Sequence, residues 1–236
     1  MSSSRVVVAD RWSCGGSSAP YDRANVAAHV GDDMGRVGAN RRDVAALAGL
    51  SLDHVIVMSP VHGNAVAVIK DLDSVPMTAL GRVAPQADAL ITGTTEIGLM
   101  VMAADCAPVT ISGPSHDGTA LVGVVHVGWK GLATQVMSRA LSHFVTAHTH
   151  VTVHPTICGQ HYPVPLARAQ EVSADSVVDL GGGNVGIDLR AGIISECQSL
   201  GVQRIEIDAR CTFETPEFFS HRRESPSGRF GVVAVL

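Results

Sequence analysis

A chain of 236 residues with 46% hydrophobic and 17% charged residues and positive mean hydropathy carries enough apolar material for an extensive core, which argues against disorder. Its formal net charge is -5, and Lys and Arg are dispersed rather than striped, so there is no electrostatic footprint for a nucleic-acid backbone. No apolar stretch is long enough to span a bilayer, Met1–Ala9 lacks the apolar core and cleavage site of a secretory signal, and no linker cuts the chain; these features predict one cytoplasmic domain over residues 1–236, with neither nucleic acid nor membrane as partner.

In chain order, helical periodicity first appears over residues 35–48, packing through Val37, Val44 and Leu47. Short apolar runs bounded by turn residues then predict strands at 55–58, 65–69, 89–91, 99–103 and 121–127. The run Leu121-Val122-Gly123-Val124-Val125 has no polar alternation, as expected of a central strand covered on both faces. Leu132, Val136, Ala140 and Phe144 share one helical face, and a strand follows at 151–157. Gly181-Gly182-Gly183 lacks the context of a phosphate loop and reads as a flexible turn. The last helix runs through Leu189, Ile193, Cys197 and Leu200, with Asp188 placed to cap its start and Gly201 its end. Strands at 205–207 and 232–236 complete the chain. Strands and helices without strict alternation or repeat predict an α/β sandwich with mixed β-sheets.

The chemistry concentrates in three words. Pro60-Val61-His62-Gly63-Asn64 ends an apolar run in an imidazole followed by a Gly that permits close approach. Ala103-Ala104-Asp105-Cys106-Ala107-Pro108-Val109 supplies a thiol, and Val125-His126-Val127-Gly128-Trp129-Lys130-Gly131-Leu132 supplies a second imidazole. His62, Cys106 and His126 read together as a metal site; zinc prefers such ligands and in catalytic sites keeps a fourth position open. Coordination would hold Cys106 as thiolate near neutrality, since the free thiol pKa is about 8.5. Whether Cys106 is ligand, base or nucleophile stays open. The remaining cysteines, Cys14, Cys158, Cys197 and Cys211, show no Cys-x-x-Cys spacing, which argues against a disulfide framework and a zinc ribbon.

Other residues carry weaker signals. Asp105 is either a cap or ion-pair partner, or it fixes the tautomer of a ligand histidine. Trp129 closes the core, while Lys130 stands near a helix start where it could face an anionic substrate. Asn40, Arg41 and Arg42, and the pair Arg222-Arg223, are candidates for an anion site because the guanidinium fork matches oxyanions. His143, His148 and His150 fall near a helix C-terminus, where imidazolium is favoured without any metal.

The ordered series of words resembles the YfiH family, also called the laccase-domain or multicopper polyphenol oxidoreductase family and later described as purine nucleoside phosphorylases. The resemblance rests on His62-Gly63, Ala104-Asp105-Cys106-Ala107-Pro108-Val109 and His126-Val127-Gly128-Trp129-Lys130-Gly131. It extends to Gly15–Asp22, His29–Asp33, Asn40–Arg42, Ala87–Thr92, Cys211-Thr212, Phe218–Arg223 and Gly228-Arg229, nearly the whole chain. Pro60 stands where a Gln is usual, Lys130 replaces a common Arg, and Pro163 takes the place of an acid.

The resemblance implies layers of helix, sheet, sheet and helix, a fold shared at a distance with the deamidase domain of cytotoxic necrotising factor. It implies that His62, Cys106 and His126 bind the metal, and that the substrates are phosphate and purine nucleosides: adenosine, inosine or methylthioadenosine. Adenosine deamination is implied as a side activity. The older family name suggests instead copper (Cu2+) and oxidation of phenols, for which His₂Cys ligation is also suitable. Two further readings are a non-catalytic zinc-stapled protein and a Cys-His hydrolase. The sequence leaves the oligomeric state, the preferred nucleoside and the native metal open.

Overall fold

The computed structural model describes residues 4–236. Residues 1–3, with which the expected 1–236 domain and the Met1–Ala9 reading begin, lie outside the described residues. Strands β1 (Arg5–Ala9), β2 (Val55–Ser59), β3 (Val66–Ile69), β4 (Met77–Thr78), β5 (Gly81–Gln86), β6 (Ala89–Thr92), β7 (Gly98–Ala103), β8 (Ala107–Pro114) and β9 (Ala120–Val127) fill the first half, interrupted by helix α1 (Met34–Leu47). Then come α2 (Trp129–Ala133), α3 (Val136–Leu141), β10 (His150–Val153), β11 (Pro163–Val164), α4 (Leu166–Ala169), β12 (Val177–Gly181), β13 (Asn184–Ile187), α5 (Leu189–Ser199), β14 (Arg204–Ile207) and β15 (Phe230–Val235).

Two six-stranded mixed sheets form, in the orders β1-β15-β7-β2-β5-β4 and β14-β10-β8-β9-β6-β3; β11-β13-β12 is a small third sheet. Because strand side chains alternate between faces, each sheet feeds two cores. On β7, Met100 and Met102 join Val44 and Ala45 of α1 on the outer face, while Leu99, Val101 and Ala103 meet Val122 and Val124 of β9 between the sheets. On the far face of the second sheet, Val125 and Val127 of β9 pack with Val136 and Ala140 of α3 and Ile193 and Cys197 of α5. The layers are helix, sheet, sheet and helix, and β9 is the central, doubly covered strand expected.

Several details differ from expectation. The helix predicted from Leu132 to Phe144 is broken into α2 and α3 by Gln135, whose φ of 57° is left-handed. Leu47 is exposed rather than packed. The strand predicted at 151–157 ends at Val153, leaving only an isolated parallel bridge at Thr156 to Cys211. Asp188 does cap α5, accepting from the backbone N–H groups of Arg190 and Ala191, and Gly201 takes φ +83°. Among the described residues no helix is long and apolar enough to cross a membrane.

Candidate functional site

Three chain segments meet at one end of the inter-sheet layer. The period of β9 that sends Val122 and Val124 between the sheets places His126 on the same face. Cys106 lies at the tight corner from β7 to β8, and the register pairing Ala107 with Val127 sets it beside the end of β9. His62 lies in the loop after β2. Its backbone φ is 57° and that of Asp105 is 91°, conformations unfavourable for residues with a Cβ and held here by surrounding bonds. The nitrogen and sulfur ligand atoms of His62, Cys106 and His126 all lie within 4.8 Å of one another. The two imidazole rings meet edge to face with centroids 4.8 Å apart.

The bonds that hold these conformations come from two carboxylates. Fully buried Asp88 accepts from the backbone N–H groups of Val61, His62 and Gly63 at 3.1, 2.8 and 2.8 Å. Its own carbonyl accepts from His126 N–H at 2.8 Å. Asp105 accepts from the Thr212 hydroxyl and the Arg222 backbone N–H, each at 2.7 Å. Asp105 is thus a brace for the Cys106 corner, neither a cap nor a partner of a ligand histidine.

Burial works to raise the Cys106 pKa, but the charge of His126 and hydrogen bonds from both imidazoles overcome it and hold the thiol at about 6. Burial likewise opposes a charged His126, yet the Cys106 thiolate and Asp88 bring its pKa up to about 9. At neutral pH this is a thiolate–imidazolium pair. Asp88 Oδ1 stands 3.6 Å from His126 Nδ1, too far for a hydrogen bond, so that buried nitrogen has no bonded partner. Two imidazoles and one thiolate suit a cation of the zinc or copper class once His126 gives up its proton, with Asp88 standing behind the Nδ1 side of that ring.

The trio forms the floor of a cleft of about 190 Å³. His29, Tyr162, His221, Arg222 and Arg229 stand around it. Arg222 lies over the Tyr162 ring at 4.9 Å and donates to the Pro163 carbonyl at 3.0 Å. Arg229 is held by the carbonyls of Ser227 and Gly228 at 2.9 and 2.8 Å. With the Asp105 carboxylate already engaged, the walls are net basic. Partial burial, then Arg229, Arg41 and the two floor histidines, keep His29 below the usual imidazole range, so it is neutral at physiological pH.

Similarity to known proteins decides the family. A model described as multi-copper polyphenol oxidoreductase laccase matches residues 5–236. The chain belongs to that family. It is 38% identical over 224 residues to a protein of Mycobacterium tuberculosis named purine nucleoside phosphorylase, spanning 92% of this chain and 86% of that one. A protein of the same name from Corynebacterium glutamicum is 36% identical over 228 residues, spanning 93% and 89%. The crystal structure of Bacillus licheniformis YfiH superposes with a TM-score of 0.89 at 23% identity, over 99% of this chain and 92% of that one, and shows the shared fold.

In this laccase-family chain the cleft gathers His62, Cys106, His126 and Arg222 and leaves the other sequence candidates outside. Asn40 is fully buried and donates to Ser17, Arg23 and Asn25. Arg41 is buried and donates to the carbonyls of Val26 and Leu80. These two tie α1 to the N-terminal loop and to Leu80, and neither lines the cleft. Arg223 is likewise committed to the carbonyls of Thr212, Phe213 and Phe218. Lys130 is exposed and does not line the cleft, because α2 turns it outward, while Trp129 packs against the core under Arg168. The residues that sequence reading did not single out are Asp88, His29, Tyr162, His221 and Arg229; the family-like words that contain His29, Asp88, His221 and Arg229 were the signal that pointed their way.

Proposed function

We propose that this protein is a purine nucleoside phosphorylase whose reaction takes place in the His62–Cys106–His126 cleft. The observation that carries the reading is the pairing, in one cleft, of this metal-competent floor with a wall containing Arg222 and Arg229. Relatives at 38% and 36% identity bear that enzyme name.

The reaction joins a phosphate oxygen to C1′ of the nucleoside as the bond from C1′ to N9 breaks, giving a pentose 1-phosphate and the free base. Positive charge builds on the ribose and negative charge on the leaving purine, so groups aimed at both ends lower the barrier. Arg222 and Arg229 hold and orient phosphate through their planar donor forks. Neutral His29 donates a hydrogen bond to the purine as it gathers charge. Asp88 and Asp105 keep the floor in its strained backbone geometry. A zinc ion held by His62, Cys106 and His126 would supply Lewis acidity, polarising an oxygen ligand; the same property supports adenosine deamination as a side activity. Adenosine, inosine and methylthioadenosine are the proposed substrates, and the cytoplasm the proposed compartment.

Copper-dependent phenol oxidation is the second reading, motivated by the family description. A multi-copper centre needs paired histidine clusters, and among the described residues the His148-x-His150 pair does not provide one. His148 is exposed and His150 faces Glu206 at 3.1 Å. The deciding experiment is a nucleoside panel with and without phosphate, read by product chromatography, on wild type and Cys106→Ala, loaded with zinc or copper. Phosphate-dependent base release, lost in Cys106→Ala, is expected. Absence of base release from every nucleoside, with oxidation of a phenol by the copper form, would reverse the assignment.

A further inference from the structure

Beside the Tyr162 segment, two tight turns bring four further metal-type side chains together. Cys158 and His161 are three residues apart in a single-turn helix, closed by His161 N–H to the Cys158 carbonyl at 3.1 Å. Cys211 and Glu214 have the same spacing in a turn closed by Glu214 N–H to the Cys211 carbonyl, also at 3.1 Å. The parallel bridge at Thr156 and Cys211 ties the two turns side by side. Their ligand atoms all lie within 4.8 Å of one another, and none of the four residues lines the cleft.

The ordinary reading is an ion pair between His161 and Glu214, with the cysteines as filler. It leaves one atom overcommitted. His161 Nδ1 is approached by Cys158 Sγ at 3.2 Å, Glu214 Oε1 at 3.5 Å and Cys211 Sγ at 3.8 Å. A ring nitrogen has one proton or one lone pair and serves one of them. A cation at their centre satisfies all. Zinc bonds of about 2.0–2.3 Å at tetrahedral angles place ligand atoms roughly 3.4–3.8 Å apart, close to the three separations at His161 Nδ1. Stacking of the His161 ring on Phe213 at 4.4 Å fixes its orientation, and the Cys158 backbone N–H donates to Cys211 Sγ at 3.2 Å, as second-layer groups do for ligating atoms.

We propose that Cys158, His161, Cys211 and Glu214 form a second zinc site, structural rather than catalytic because four protein ligands close the coordination shell. Binding releases the protons of both thiols to solvent and leaves His161 neutral. The site staples the 156–162 segment to the 211–214 turn. These segments carry Tyr162 of the cleft wall and Thr212, which braces Asp105. The proposal is independent of phosphorolysis.

The test uses full-length Cys106→Ser protein, from which the cleft thiol has been removed, kept reduced and loaded with zinc or Co2+. Expected are two zinc ions per chain in zinc-loaded wild type, one retained zinc in zinc-loaded Cys106→Ser, and in Co2+-loaded Cys106→Ser a thiolate-to-cobalt charge-transfer band of two-sulfur intensity. Adding His161→Ala or Cys211→Ser should abolish that band, and Glu214→Gln, at an exposed position, should change the cobalt ligand-field spectrum while leaving the fold intact. Should the double variants fail to fold, X-ray absorption on zinc-loaded Cys106→Ser gives the answer alone: two sulfur neighbours are expected. No zinc and no cobalt band in folded Cys106→Ser, or a Cys158–Cys211 disulfide in the reduced preparation, would overturn the proposal.

Discussion

Asp88 faces His126 across 3.6 Å while its carboxylate collects the backbone N–H groups of the loop that carries His62. One buried charge therefore sets both imidazoles of the floor, although His62 follows β2 of one sheet and His126 lies on β9 of the other. In Asp88→Asn the amide keeps the volume but presents donors to donors. The loss of such a brace costs about 10–100-fold in metal affinity. Leaving His126 and three N–H groups without a carboxylate destabilises the fold by on the order of 3 kcal/mol. Zinc competition against a chromogenic chelator, together with urea denaturation, measures both effects. Unchanged zinc affinity would remove Asp88 from its positioning role.

Arg229 is the better held of the two wall guanidiniums, since the carbonyls of the two preceding residues, Ser227 and Gly228, accept from it at 2.9 and 2.8 Å. If it carries phosphate, Arg229→Gln raises KM for phosphate by about 10–100-fold, the worth of one or two charge-assisted bonds. The KM for nucleoside should move little, and Arg229→Lys should not rescue because the fork is lost. Steady-state kinetics with phosphate varied at saturating inosine checks this. A shift confined to the nucleoside KM would transfer Arg229 to the other substrate.

Much of the layered core was legible because burial leaves a period in the sequence. Unbroken apolar β9 read as central, and the α5 stripe and its caps fell where the residues said. What local pattern could not show was a break imposed by tertiary packing. Gln135 carries no breaker signal, yet it separates α2 from α3 so that both can reach the core. Strand β5 was missed because Arg82 and Pro85 interrupt its apolar pattern, and the β12–β13 hairpin because its strands are mostly half-exposed. The convergence of His62, Cys106 and His126 was legible from motif order. Asp88 was not, since it acts through backbone N–H groups 25 to 27 residues away in sequence. The Cys158 cluster was not legible either, because its two spacings, Cys-x-x-His and Cys-x-x-Glu, lie far apart in the chain and neither is the Cys-x-x-Cys of a zinc ribbon.

Gly128 tests how finely the thiol is placed. A Cβ built there would stand 3.1 Å from Cys106 Sγ and 3.7 Å from His62 Cδ2. The backbone φ of -98° suits any residue, so the only cost of Gly128→Ala is pressure on the floor. Expected is phosphorolysis slower by about 10-fold or more, since sub-ångström displacement of a reacting group is costly, with stability changed by under about 1 kcal/mol. Gly186→Ala is the contrast: its Cβ would fall 2.2 Å from the Gly159 carbonyl oxygen, and the fold itself should fail. Full activity in Gly128→Ala would mean that the thiol position is slack.

His154 gives the acid side of the stability profile. It follows β10, is 5% exposed, and its Nε2 meets the Thr110 hydroxyl at 3.0 Å. Burial pushes its pKa down to about 4, with Asp208 opposing weakly. The unfolded chain, near 6.5, takes up a proton that the folded one refuses. The stabilisation is therefore complete above pH 6.5 and is lost as pH falls toward 4, by about 2–3 kcal/mol at pH 4.5. His154→Gln keeps a partner for Thr110 and cannot titrate. Carboxylates elsewhere respond to acid equally in both proteins, so the difference between their urea midpoints at pH 7 and pH 4.5 isolates this residue. Wild type should lose more stability than the variant over that interval; parallel losses would show that another group carries the acid sensitivity.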